Sequence, residues 1–176
     1  MPTNTDRAPC APSEATEQLV SDLFRAHALR LIRVAVLLTG DQPSAEDVVQ
    51  DAFIGLYKAL PRIRDQAKAL PYLRTSVING ARSVLRARKR AALRRVPHEP
   101  PVWSAESAAM AGEDRRALLS AVARLPRRAR EVLALRYYLD LPEHEIAAAL
   151  GVSRGTVSST ASRALTALAR DLREEQ

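Results

Sequence analysis

A chain of 176 residues holds one ordinary domain or two small ones. Its 27 Lys/Arg against 20 Asp/Glu leave a net charge of +7, which points to an acidic partner, either nucleic acid or an anionic membrane surface. A single cysteine, Cys10, excludes an internal disulfide; three scattered histidines (His27, His98, His144) supply no zinc cluster, and no apolar run approaches a membrane span.

Aromatic residues and glycine are scarce, helix formers are abundant and no strand pattern or internal repeat is present, so the expected class is all-α. Residues 1–16 hold three prolines and no periodicity and read as a disordered tail without a signal-peptide profile, which predicts a cytoplasmic protein. From Glu17, the set Leu19, Val20, Leu23, Phe24, Leu31, Val34, Ala35 and Leu38 keeps helical spacing until Gly40. Ser44 then offers an N-cap, with Asp47 in the capping-box position. Val48, Val49, Ala52, Phe53, Leu56 and Leu60 give the second helix a buried stripe that Pro61 ends. A polar loop leads to a third helix starting near Pro71, whose inner face is Leu73, Val77, Ala81, Val84 and Leu85.

Three prolines in RVPHEPPVWS, from Arg95, cannot sustain a helix and mark a linker over 95–112. Further helices are predicted near 105–124, 127–139, 142–150 and 154–172, with Ser153 as an N-cap. The expected architecture is two small helical domains, 17–94 and 113–176, on a tether.

Charge divides unevenly between them. Residues 17–96 carry 15 Lys/Arg against 7 Asp/Glu, whereas 113–176 carry 11 against 9. No acid occurs from Gln66 to His98, an interval holding Arg82, Arg86, Arg88, Lys89, Arg90, Arg94 and Arg95. Arg82, Arg86 and Lys89 share a face by their i, i+4, i+7 spacing. A solvated basic face normally interleaves acids that relieve self-repulsion; this one does not, which favours phosphate contact.

The stretch IAAALGVSRGTVSSTASRAL, from Ile146, reads as two helices around a Gly-Val-Ser turn. Ile146, Ala147 and Leu150 face inward on the first, and Val157, Ala161, Ala164, Leu165 and Leu168 on the second. Gly151 permits a left-handed turn, and Val152 plugs the angle between the helices. Arg154, Thr156, Ser158, Ser159 and Arg163 are left on or near the outside, where Arg and hydroxyls suit base edges and phosphates. A plain helical corner would show the same local pattern; the attached basic domain favours a helix-turn-helix.

Taken together, these segments resemble the extracytoplasmic-function sigma factors of bacterial RNA polymerase, over about residues 19–172. GDQPSAEDVVQDAFIGLYKAL resembles region two of that family, LPYLRTSVINGARSVLRARKR the part that melts and reads the −10 element, and LPRRAREVLALRYYLDLPEHEIAAALGVSRGTVSSTASRAL region four, which reads the −35 element. The resemblance implies that Asp47, Gln50, Asp51, Phe53 and Tyr57 contact the polymerase clamp on the beta-prime subunit, although Phe53 fits a core position equally. It also implies that Tyr72, Asn79 and the Arg64–Lys68 loop help to capture an unstacked base, with Tyr72 equally able to serve the core. With Arg64, Lys68, Arg82, Arg86 and Lys89 these form the expected −10 surface; Arg154, Thr156, Ser158, Ser159 and Arg163 form the expected −35 surface. Many relatives have Lys where Ser158 stands and Arg where Thr160 stands, so this recognition helix is less basic and leans more on shape readout. Core RNA polymerase, through the clamp and the beta flap, and promoter DNA are the implied partners, and the family leaves room for an anti-sigma factor.

No catalysis, cofactor or metal is expected. The carboxylate pairs Asp47/Asp51 and Glu143/Glu145 come without a His/Cys cluster, P-loop or nucleophile motif, which leaves a nuclease unsupported. A free-standing helix-turn-helix regulator accounts for 126–170 but not for the clamp-like segment or the acid-free helix. In the resemblance, the linker around Trp103 spans the polymerase between the two domains.

Overall fold

The computed structural model describes residues 14–93 and 113–174, which form seven α-helices and two single 3-10 turns with no strand among them. The tail and the linker, Trp103 included, lie outside the described residues. In chain order the helices are α1 (Glu14–Thr39), α2 (Gln42–Ala59), α3 (Ala69–Leu93), α4 (Glu113–Arg124), α5 (Arg127–Tyr137), α6 (Glu143–Leu150) and α7 (Arg154–Glu174).

Helices α1–α3 form the first bundle. Leu31, Ala35, Val49, Ala52, Leu56, Leu73 and Val77 pack at its centre, and all of these lie on the stripes that the spacing predicts. Gly40, at φ 90°, ends α1, and its N–H donates to the Val36 carbonyl at 2.8 Å. The start of α2 differs from expectation. Asp41, not Ser44, is the N-cap, and its Oδ1 accepts from the Ser44 N–H at 3.0 Å. Both residue types cap well; Asp41 prevails because Pro43 suits a first turn and Arg88 from α3 reaches the same carboxylate. Gly80 sets how closely α2 and α3 cross. A Cβ there would stand 2.8 Å from the Val48 Cγ1.

Helices α4–α7 form the second bundle around Ala121, Leu125, Leu133, Val132, Leu135, Ile146, Leu150, Val157 and Ala161. Helix α6 ends at Gly151 in the left-handed region (φ 66°), and the Val152 N–H donates back to the Ala147 carbonyl at 3.0 Å. Ser153 caps α7 as expected, its Oγ accepting from the Thr156 N–H at 3.1 Å. Leu165 departs from expectation: it lies at the margin of the apolar stripe and is exposed rather than inward.

The two bundles are not joined by the tether alone. Val34, Leu37 and Leu38 of α1 and Ala81 of α3 pack with Ala134 of α5, and Ile78 of α3, 1% exposed, joins Val132, Leu135 and Ile146 in the core of the second bundle. Three ion pairs cross the same boundary: Arg30–Asp140 at 2.7 Å, Arg74–Glu145 at 2.7 Å and Arg82–Glu131 at 2.8 Å.

Candidate nucleic-acid interface

The second helix of the helix-turn-helix presents a continuous small and polar face. Arg154, Thr156, Ser158, Ser159 and Arg163 are all exposed, as are Gly155 and Ser162 between them. The Ser153 and Thr156 hydroxyls lie 2.9 Å apart, and the Ser159 hydroxyl donates to the Thr156 carbonyl at 3.3 Å. The Arg163 Nε donates to the Ser159 carbonyl at 3.2 Å, which lays its side chain along the helix instead of out from it. Gly155 and Ser162 escape a reading that looks for charge and long side chains. Gly155 does have a detectable signal: a Cβ would meet nothing closer than the Ser153 Oγ at 3.9 Å, so nothing inside the protein requires a glycine there. Its absence of a side chain lets an outside surface approach this helix closely.

On the first bundle the expected −10 residues fall into two groups. Arg62, Arg64, Asp65, Lys68, Tyr72 and Thr75 line an open cleft of about 620 Å³ where the 3-10 turns meet the start of α3. Asp65 shapes it by capping the second turn, accepting from the Ala67 N–H at 3.0 Å. Tyr72 is 37% exposed, and its hydroxyl lies 3.4 Å from where a Cβ on Gly55 would stand. Its hydroxyl end therefore rests against α2 while the residue also lines the cleft, so Tyr72 is neither wholly core nor free. A cationic rim beside an aromatic face can stack a base and hold its phosphate.

The second group lies along α3. Arg86 and Lys89 are exposed, with the Arg86 Nη2 donating to the Ser83 Oγ at 2.8 Å. Asn79 is exposed, and its Oδ1 accepts from the Arg82 Nη1 at 3.4 Å. Arg82 itself turns away from solvent. Its Nε and Nη2 bind both oxygens of Glu131, each at 2.8 Å, in a fork-to-fork pair. That hydrogen-bonded contact holds its guanidinium more firmly charged than usual, despite burial pulling the other way. Arg88 also turns inward, to the Thr39 carbonyl, the Asp41 carboxylate and the Ser44 Oγ. Burial alone would raise the Asp41 carboxyl; the Ser44 amide and hydroxyl and Arg88 outweigh it and hold it below its ordinary value. Of the basic run, Arg82 and Arg88 are thus committed within the protein, while Arg86 and Lys89 remain open.

The acidic face of α2 is separate from both. Asp47, Gln50 and Asp51 are exposed on one side of the helix, together with Ile54, 44% exposed, which sequence reasoning missed. Phe53 is core, 6% exposed. The aromatic surface is instead that of Phe24 from α1, 52% exposed and set edge-on to Phe53 with ring centroids 5.1 Å apart. Tyr57 is half-buried beside it, its hydroxyl 3.5 Å from Glu17. Acids flanking Ile54 and Phe24 make a surface for a basic, partly apolar partner. No group of His, Cys, Asp or Glu among the described residues could hold a metal ion, and no described helix is long and apolar enough to cross a membrane.

Both halves match known families. Residues 23–91 match the model of sigma-70 region 2, and residues 115–168 that of sigma-70 region 4. The RNA polymerase sigma-E factor of Streptomyces avermitilis is 37% identical over 143 residues, covering 81% of this chain and 78% of the relative. The ECF RNA polymerase sigma factor SigL of Mycobacterium tuberculosis is 32% identical over 166 residues, covering 91% and 92%. The chain belongs to the extracytoplasmic-function class of sigma-70 factors. Two solved structures share the fold of this sigma factor at 22% identity. The sigma factor RpoE in complex with the anti-sigma factor NepR from Bartonella quintana has a TM-score of 0.71 over 93% of this chain and all of that one. CnrH in complex with the cytosolic domain of CnrY has a TM-score of 0.67 over 92% and 96%. The sequence-based reading of family, all-helical fold and role in transcription initiation agrees with these matches.

Proposed function

We propose that this sigma factor binds core RNA polymerase through the α1–α2 face and carries promoter recognition on its two helical domains, 17–94 and 113–176, joined by the 95–112 linker. Asp47, Gln50, Asp51 and Tyr57 engage the beta-prime clamp, with Phe24 and Ile54 as the apolar anchors and Phe53 supporting Phe24 from beneath. The cleft of Arg64, Lys68 and Tyr72, with Asn79, Arg82, Arg86 and Lys89 along α3, takes the opened −10 strand. Arg154, Thr156, Ser158, Ser159 and Arg163 lie against the −35 element, with Gly155 and Ser162 allowing close approach. The beta flap, or an anti-sigma factor in its place, meets the apolar groove of Leu118, Val122, Leu133, Tyr137 and Leu165 beside Arg130.

The role is assembly rather than catalysis, and it is exercised in the cytoplasm on the nucleoid. Capture of unstacked bases offsets a few kcal/mol of lost stacking. Two modest DNA contacts on one polymerase gain through effective concentration. The observation that carries the reading is the succession, on one chain, of an acidic-apolar docking face, an aromatic cationic cleft and an exposed recognition helix of small and polar residues. In-vitro transcription with sigma-free core enzyme and genomic DNA tests it. Defined new 5′ ends are expected only when this protein is added; an unchanged start-site profile overturns the proposal.

A further inference from the structure

The cleft at the start of α3 carries one group that phosphate binding does not explain. Beside the cations Arg62, Arg64 and Lys68, with Tyr72 and Thr75, stands the acid Asp65. A carboxylate repels the phosphates that those cations attract, so a site for the DNA backbone alone has no use for it. Asp65 does not neutralise its neighbours either, since among the described residues it forms no ion pair. Its Oδ1 accepts from the Ala67 N–H at 3.0 Å, and its carbonyl from the Lys68 N–H at 3.0 Å. The residue is thus held in place by two bonds, and its Oδ2 has no hydrogen-bond partner among the described residues. Capping the turn needs one oxygen only, which Ser or Asn would supply as well.

We propose that Asp65 is the residue that reads the captured base: its Oδ2 accepts from an exocyclic amino group, so the cleft selects cytosine or adenine against thymine. This rests on the assignment of the cleft to the opened −10 strand. Stacking on Tyr72 holds any base, because every base has a π-face, and so provides affinity without sequence. Discrimination requires a polar atom at the Watson–Crick edge of the extruded base.

An ionised carboxylate only accepts, and it therefore matches the N4 amino group of cytosine or the N6 amino group of adenine. Thymine sets a carbonyl oxygen at that corner, which leaves two acceptors facing each other after both have lost their water. Next to the amino group lies a ring-nitrogen acceptor, N3 of cytosine or N1 of adenine, and Arg62, Arg64 and Lys68 supply donors for it. All three cations are long and exposed, so they adjust to either kind of edge. Asp65, tied to Ala67, does not adjust and decides the choice.

Base analogues in single-stranded DNA test this. Holoenzyme assembled from core polymerase and the full chain is titrated with non-template oligonucleotides spanning the −10 element of a promoter located by start-site mapping. Cytosine is replaced by uracil, or adenine by hypoxanthine, one position at a time, which turns the amino group into a carbonyl. At one position the exchange is expected to weaken binding about tenfold or more. Asp65→Asn keeps an oxygen for the Ala67 N–H, which orients the amide and sets its NH2 in the place of Oδ2. At that position it is expected to reverse the preference in favour of the carbonyl analogue. Asp65→Ser keeps a capping oxygen without a second polar atom and is expected to bind both forms alike. Loss of the negative charge strengthens binding to every oligonucleotide, so the ratio between paired analogues is the quantity read. A parent holoenzyme that binds the oligonucleotides but tolerates every exchange overturns the inference, as does Asp65→Ser retaining the amino preference. So does an Asp65→Asn ratio that is unchanged or only flattened, because a disturbed loop flattens it and an exchanged acceptor reverses it. Failure of the parent holoenzyme to bind any of these oligonucleotides, or to give a start site to map, overturns the functional reading, and the role of Asp65 with it.

Discussion

Arg88 lies within the basic run of α3 but serves the fold, and its removal separates the two roles. Arg88→Ala deletes donors to the Thr39 carbonyl, the Asp41 carboxylate and the Ser44 Oγ. The Arg88 and Asp41 side chains are 18% and 16% exposed. Hydrogen bonds to charged groups contribute roughly 1.5–3 kcal/mol, and breaking a fully buried pair costs about 3–5 kcal/mol. A site this shielded but not fully buried lies between them, so a loss of about 2–4 kcal/mol is expected. In urea, with an m-value of about 2 kcal/mol/M, the midpoint falls by about 1–2 M while m stays constant. Asp41→Asn keeps a capping oxygen and loses the charge, and the double-mutant cycle with Arg88→Ala is expected to show coupling of about 1.5–3 kcal/mol. The pair also sets an acid limb. The folded-state Asp41 carboxyl lies below its ordinary value of 3.8, so its contribution is complete above that pH and is lost as pH falls towards the lower folded value. Arg88→Ala should flatten that limb. DNA binding by the folded fraction of Arg88→Ala, measured with core enzyme, should keep the parent salt dependence. A stability change under 0.5 kcal/mol, or a reduced salt slope, refutes the assignment of Arg88 to the fold.

The neighbouring cations are expected to behave in the opposite way: Arg86→Ala and Lys89→Ala each leave the urea midpoint within about 0.5 kcal/mol of the parent and lower the slope of log K against log salt by about 0.7–0.9. Two glycine substitutions should also diverge. Gly80→Ala forces a Cβ to 2.8 Å from Val48 and is expected to cost about 1–2 kcal/mol in urea unfolding, overpacking outweighing the gain in helix propensity. Gly155→Ala meets open space, so stability should hold or rise by up to ~1 kcal/mol while −35-dependent transcription falls, as read by run-off assays on promoters with and without that element. His27 is held below its ordinary value of 6.5, first by burial and then by Arg74 and Arg30, so the unfolded chain takes up the proton before the folded one. Stability is complete above about pH 6.5 and declines as pH falls through the lower folded value. Urea unfolding at pH 7.5 and 5.5 should show that decline, and His27→Asn should reduce it.

The sequence makes periodic features plain and pairings across the chain obscure. The helix-turn-helix was legible to the residue at Gly151 and Ser153, because a left-handed turn and an N-cap depend on local chemistry that a few adjacent residues specify. The α2 cap was harder, since Asp41 and Ser44 are both good caps three residues apart and the choice between them depends on Arg88, some forty residues on. The basic run reads as one uniform surface in sequence. Only tertiary contact separates Arg82 and Arg88, drawn to Glu131 and Asp41, from Arg86 and Lys89, which face solvent. Ile78 falls outside the stripe that faces α1 and α2, because it belongs to the boundary with the second bundle, which no periodicity within α3 encodes. Phe53 fits a core or a docking position equally in sequence for a similar reason: the spacing permits either Phe24 or Phe53 to be buried, and the crossing of α1 and α2 buries Phe53 and leaves Phe24, expected inward, exposed.

The central claim is that selectivity arises only when polymerase, this chain and promoter DNA are together. Fluorescence titration of one promoter fragment and one scrambled fragment, with and without core enzyme at a fixed salt concentration, measures it directly. Weak, indiscriminate binding by the chain alone, becoming at least a hundredfold selective for the promoter once core is present, is the expected result. Equal selectivity with and without core enzyme contradicts the account and returns the chain to the class of free-standing DNA-binding regulators.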